Sequence, residues 1–218
     1  MRRRNLVIDR GPATQRLHAL ADANREARAS QEERAGRFRR IAGRHENGTA
    51  PVAVSAWQLF PTPAAVADRM MDAADLAPGL RVLEPSAGTG NLVRAILARG
   101  ADVVACEIAP RVAEEFALDF PAVSLFVGDF LERTAAELGG PFARVVMNPP
   151  FHRGEDARHI LHAAGMLAPG GLLVGLCYDG RAFREELAEW CATSERLPPG
   201  SFAESGTRAD VVMVTMRR

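Results

Sequence analysis

Residues 81–90, Arg81-Val82-Leu83-Glu84-Pro85-Ser86-Ala87-Gly88-Thr89-Gly90, run from a short apolar stretch through an acid into a glycine-rich loop. A helix-forming segment follows. Gly88 and Gly90 permit a tight turn and close backbone approach at a helix N-terminus, where free N–H groups face a ligand. A nicotinamide-binding loop would continue as G-x-G-x-x-G, but Val93 stands where the third glycine belongs. A phosphate loop would end in G-K-S/T, which is absent. Glu84 at the strand end instead suits a cationic or amine-bearing ligand.

Outward from this stretch, strands and helices alternate. Short apolar runs bounded by Gly, Pro and Asp predict strands at 81–84, 101–106, 122–127, 142–147 and 171–177. Helical patterns fall at 91–99, 110–119, 131–138, 155–167 and 181–191. Before them, Thr62 as N-cap with Pro63 at the first helical position predicts a helix over 64–74. The tail changes rhythm: Glu195–Phe202 and Ala209–Met216 are extended runs with no helix between, expected to pair antiparallel at a sheet edge. The fold class is α/β, a doubly wound, mostly parallel seven-stranded sheet with a terminal antiparallel edge pair.

Composition agrees with a soluble globular domain: 47% hydrophobic, 25% charged, net charge zero. The basic residues are all Arg, and residues 1–50 carry twelve of them against six acids. Residues 1–47 read as an Arg-rich helical or partly disordered arm, with too thin an apolar stripe to bury alone, and 48–218 as the main domain. A basic arm is suited to nucleic-acid phosphate. Cys106, Cys177 and Cys191 lack C-x-x-C spacing and read as small hydrophobes of a cytoplasmic chain. No apolar run reaches the roughly 18 residues that read as a membrane span. Trp57 and Trp190 read as packing residues.

The strand tips carry the chemistry. Glu107 at the end of the second strand can accept both hydroxyls of a ribose. Asp129, after the third, can accept from an adenine amino group while Phe130 covers the ring. The fourth strand stops at Asn148-Pro149-Pro150-Phe151. Neither proline donates a backbone hydrogen bond, and each pushes the preceding residue toward extended conformation. The result is a stiff set of acceptors beside an aromatic plate, suited to gripping a planar amino group. His152, His159 and His162 complete no ligand set, so no metal is expected.

Taken together, these pieces resemble the class I S-adenosylmethionine-dependent methyltransferases, specifically the amino-methyltransferases of adenine N6, over residues 57–216. Asn148–Phe151 matches their D/N/S-P-P-Y/F/W signature. The resemblance implies S-adenosylmethionine as cofactor, held by Gln58, Phe60, Thr62 and Pro63, by Glu84, Ser86, Ala87, Gly88, Gly90 and Asn91, and by Glu107, Asp129 and Phe130. It implies Asn148, Pro149, Pro150 and Phe151 as the catalytic set, with Phe151 stacking on the base. Phe202 is a second stacking candidate, with core packing as the equal alternative, and Arg153 and Arg158 are candidates for phosphate contact. The expected acceptor is adenine N6 in nucleic acid, DNA ahead of RNA. Guanine N2 of RNA, a protein glutamine, and an inactive cofactor-binding partner subunit are the alternatives. No large target-recognition insertion is present, so target choice is expected to be loose, or delegated to the arm, short loops or a protein partner.

Overall fold

The computed structural model describes residues 60–218. The arm, Trp57 and Gln58 lie outside the described residues. The first element, α1 (Ala64–Ala74), buries Val66, Ala67, Met70, Met71 and Ala74, a stripe at helical spacing. It starts with Pro63 at the cap position and no side-chain cap, so the expected Thr62 cap is corrected. The Thr62 hydroxyl is engaged elsewhere, as described below. At its other end, Arg144 Nε donates to the Ala74 carbonyl at 2.6 Å and its guanidinium also reaches the Asp75 carbonyl. The last carbonyls of a helix lack intrahelical partners, and this arginine supplies two.

There follow β1 (Arg81–Glu84), α2 (Asn91–Ala98), β2 (Asp102–Glu107), α3 (Pro110–Asp119), β3 (Ser124–Val127), β4 (Phe142–Met147), α4 (Glu155–Ala164), β5 (Leu167–Tyr178), β6 (Thr193–Arg196) and β7 (Val211–Arg217). The sheet order is β3-β2-β1-β4-β5-β7-β6. The strands β1–β5 are parallel, while β7 pairs antiparallel with both β5 and β6. The expected Rossmann-like architecture with its antiparallel edge is the one observed. One face carries α1, α2, Phe116 of α3 and Phe202; the other carries α4, Leu138 and Leu187. Each large buried side chain contributes about 1.5–3 kcal/mol. The chain winds outward from β1 in one direction and from β4 in the other, so a crevice opens where those two strands meet at their C-terminal ends.

Three expected elements differ. No α-helix forms at 131–138: a single 3₁₀ turn, Phe130–Glu132, is followed by a turn in which Glu137 accepts from both the Thr134 amide and hydroxyl. Arg81 then grips the Leu138 and Gly139 carbonyls. The helix expected at 181–191 is a π-helical turn, Phe183–Leu187, running into a 3₁₀ turn, Ala188–Trp190. The strand expected at 195–202 is Thr193–Arg196; beyond it the chain turns inward to bury Leu197 and Phe202. Trp190, read as a packing residue, is 63% exposed, whereas Cys106 and Cys177 are buried as small hydrophobes.

Candidate active site

Because side chains alternate across a strand, the register fixes which ones share a face. Val82, Ala105, Val146 and Leu176 all point into the core on the α1 side, so Glu84, Glu107, Asn148 and Tyr178, each two residues beyond one of them, share that face. Leu83 pairs with Val145 and Glu84 with Ala105. Glu107 and Asn148 therefore each stand two residues further out than Glu84. A cleft of about 340 Å³ lies over Glu84, Glu107 and Asn148, and Tyr178 stands outside its wall.

At the β1–β3 end, each strand-tip acid folds the chain back by accepting a nearby amide. Glu84 Oε1 accepts from Ser86 N–H at 2.9 Å. Glu107 accepts from Gly88 and Ala109 N–H, both at 2.8 Å. Asp129 Oδ1 accepts from Leu131 N–H at 2.9 Å. Glu84 is only 1% exposed, and its Oε2 has no hydrogen-bond partner. Burial pushes its carboxyl up to about 8, against the Ser86 amide and with help from Glu107. Burial raises Glu107 too, opposed by the amides of Ala109, Gly88 and Ile108. Two buried acids side by side, one with an orphaned oxygen, form a site that a cation would complete.

At the β4 end, Asn148 Nδ2 donates to the Phe60 carbonyl and to Thr62 Oγ1, both at 3.1 Å. A carbonyl only accepts, so this contact fixes which end of the amide is the NH₂. Asn148 Oδ1 is then a buried acceptor with no partner. The stretch Phe60–Thr62, which has no secondary structure, is held by three side chains. Asn148 takes the Phe60 carbonyl, Ser205 Oγ the Pro61 carbonyl at 2.5 Å, and Asn91 Nδ2 the Thr62 carbonyl at 2.9 Å.

Of the cofactor candidates, the cleft wall includes Phe60, Thr62, Glu84, Ser86, Ala87, Gly88, Asn91, Glu107, Asp129 and Phe130. Pro63 and Gly90 are not on the wall. Gly90 sits at φ +79°, and a Cβ there would fall 2.2 Å from the Phe120 ring, so it shapes the turn from behind. Phe130 is 3% exposed, its ring against His159 and His162. The open apolar surface there belongs to Ile108, 43% exposed. Asn148, Pro149, Pro150 and Phe151 line the cleft, as does Arg158, but Arg153 does not. Phe202, a stacking candidate, is corrected: it is 1% exposed and packed in the core.

Sequence reasoning missed Ile108, Leu131, Glu155 and His159 on the wall. Ile108 was findable, as the apolar residue directly after a strand-tip acid. The His159 ring Nδ1 lies 2.8 Å from the Glu155 carbonyl, which can only accept, so Nδ1 carries a hydrogen, and burial lowers the ring's pKa.

No protein-family model matches the chain. A curated relative, ribosomal RNA small subunit methyltransferase A of Thermosynechococcus vestitus, is 37% identical over 90 residues, 40% of this chain and 33% of the relative. The chain thus spans about a third of that relative's length. Among solved structures, an RNA methyltransferase from Salinibacter ruber in complex with S-adenosyl-L-homocysteine superposes with TM-score 0.52 at 22% identity, covering 72% of this chain and 92% of that one. A dimethyladenosine transferase from Plasmodium falciparum gives TM-score 0.57 at 18% identity, covering 73% and 64%. The described domain therefore has the fold of the class I S-adenosylmethionine-dependent methyltransferases, the one its motifs resemble.

Proposed function

We propose that this protein is an S-adenosylmethionine-dependent methyltransferase acting on the exocyclic N6 amino group of adenine in RNA. The observation that carries the reading is the Asn148 amide: its NH₂ is tied to Phe60 and Thr62, and its oxygen is a buried acceptor without a partner. An NH₂ on a flat ring would satisfy it. The nitrogen of such a group is a poor nucleophile because its lone pair is delocalised. Donating its two hydrogens to Asn148 Oδ1 and the Pro149 carbonyl biases it toward tetrahedral character and frees that lone pair. Rate then comes from positioning and fixed dipoles. Phe151, half-buried beside Asn148, holds the ring from one side.

When bound, S-adenosylmethionine supplies a methyl group on a sulfonium. Glu84 and its orphaned oxygen suit the ammonium of that cofactor, Glu107 the ribose hydroxyls, and Asp129 with Ile108 the adenine. The preference for DNA read from the sequence gives way to RNA, since the curated relative is by name a ribosomal RNA methyltransferase. Low target specificity is not part of the proposal. Residues 1–47 are proposed as a basic arm for RNA phosphates.

The test is incubation of the full chain with methyl-labelled cofactor and separate pools of unmethylated RNA, DNA and protein, followed by mass analysis of the labelled product. N6-methylated adenosine from RNA is expected. Label in guanine N2, in glutamine or in DNA would replace the acceptor; no label in any pool would overturn the activity.

A further inference from the structure

Strand order puts β5 on the opposite side of Asn148 from β1–β3. In the β4–β5 register Met147 pairs with Gly175. Asn148 is therefore level with Leu176, and Tyr178 stands two residues further out on the same face, about 7 Å along the strand. The residue is 45% exposed.

The backbone that presents this ring is tied from several directions. The Tyr178 N–H donates to Asp156 Oδ2 at 2.8 Å, and Asp156 is only 2% exposed. The Asp179 N–H donates to the Asp210 carbonyl, and the Asp179 carboxylate pairs with Arg184 and Arg196. The Gly180 N–H donates to the Tyr178 carbonyl at 2.7 Å, and a Cβ on Gly180 would fall 2.6 Å from the Tyr178 ring. The segment just beyond packs on the loop after Phe151: a Cβ on Gly154 would lie 3.2 Å from that of Ala182. That loop carries Arg153, and Arg158 lines the cleft. A stiffly held, half-exposed aromatic ring suits a base.

We infer that Tyr178 is a stacking platform for the nucleotide that flanks the target adenine. This rests on the proposed RNA adenine activity. Phe151 serves the target ring next to Asn148, and Tyr178 lies one step further along the route leading away from the cofactor strands.

The test uses full-length protein and the shortest RNA fragment that the acceptor experiment shows to be methylated, made intact or with abasic residues on both sides of the target. On intact RNA, Tyr178→Ala should raise KM about tenfold or more, the change expected from losing one base–aromatic stack, with a smaller effect on kcat. Tyr178→Phe should stay near wild type. On the abasic RNA, Tyr178→Ala and wild type should coincide. Cofactor Kd and melting temperature, unchanged in both variants, separate this loss from misfolding. A loss that persists on abasic RNA, or no loss on intact RNA, overturns the inference and leaves the activity standing. If wild type labels no adenine in RNA, both fall together.

Discussion

The cofactor end of the cleft, on β1–β3, and the acceptor end, on β4–β5, are held by different kinds of contact. At the cofactor end the acids bind amides close by in sequence: Glu84 to Ser86, Asp129 to Leu131, Glu107 to Ala109 and, at longer range, to Gly88. At the acceptor end the contacts span the chain, from Asn148 to Phe60 and Thr62, Ser205 to Pro61, and Asp156 to Tyr178. The first end is shaped mostly by its own strand-to-loop turns; the second exists only once the whole domain has closed. The two should therefore respond separately to mutation.

The largest effect is expected from Asn148→Ala. Removing the acceptor should lower kcat by roughly 10²–10³, the scale of deleting one preorganised polar contact at a reacting group. Cofactor Kd, measured by calorimetry, should change far less than kcat: Glu84, Glu107 and Asp129 do not bond to Asn148, and of the cofactor candidates only Phe60 and Thr62 lose a contact with it. A collapse of cofactor affinity would break the division between the two ends. Gly90→Ala probes the opposite end. Its Cβ would drive into the Phe120 ring, and its φ is +79°. Overpacking costs about 1–3 kcal/mol and the left-handed backbone about 1–2 more. Chemical denaturation should register this loss together with weaker cofactor binding. Phe120→Leu in the same chain should restore part of both.

This local–distant difference also decides what the sequence could tell. The Glu84, Glu107 and Asp129 tips, Gly88 and Asn148–Phe151 are legible because each acts within a few residues of a strand end. The fold followed from the same short runs. Thr62 looked like a helix cap because caps are local signals; its hydroxyl went instead to Asn148, 86 residues away. For Phe202 stacking and core packing stood level, because nothing nearby in sequence shows that the chain after β6 folds into the core. The Ala- and Glu-rich runs at 131–138 and 181–191 have helical composition, yet Arg81, from β1, binds the end of the first. In the second, the ladder widens to π geometry. Tyr178 was invisible for the same reason, since only the β4–β5 register places it on the same face as Asn148, two residues further out.

A subtler way to sharpen the comparison is pH. Burial raises the Glu84 carboxyl from 4.5 to about 8, so the folded, cofactor-free protein keeps a proton that the unfolded chain has released. Its contribution to stability is complete below pH 4.5, declines as pH rises, and is gone above about 8. Melting temperature of the cofactor-free protein should thus fall between those limits. Glu84→Gln should reduce the slope without abolishing it, because burial raises Glu107 and Asp156 in the same direction. Saturating cofactor, by pairing its ammonium with the carboxylate, should also make the slope shallower. An unchanged slope in Glu84→Gln would mean that the orphaned oxygen is not a protonated acid.

The smallest effect belongs to Arg158, on the cleft wall at the acceptor end. If it meets a phosphate, Arg158→Ala should weaken RNA binding modestly and similarly across sequences. The slope of log affinity against log salt should become shallower by about one. Cofactor affinity should not change, since the β1–β3 acids keep their amides. A salt slope equal to wild type would assign Arg158 to the solvated surface of α4. A loss of cofactor affinity would instead place it with Asp129 and His159, on the other side of the boundary between the two ends.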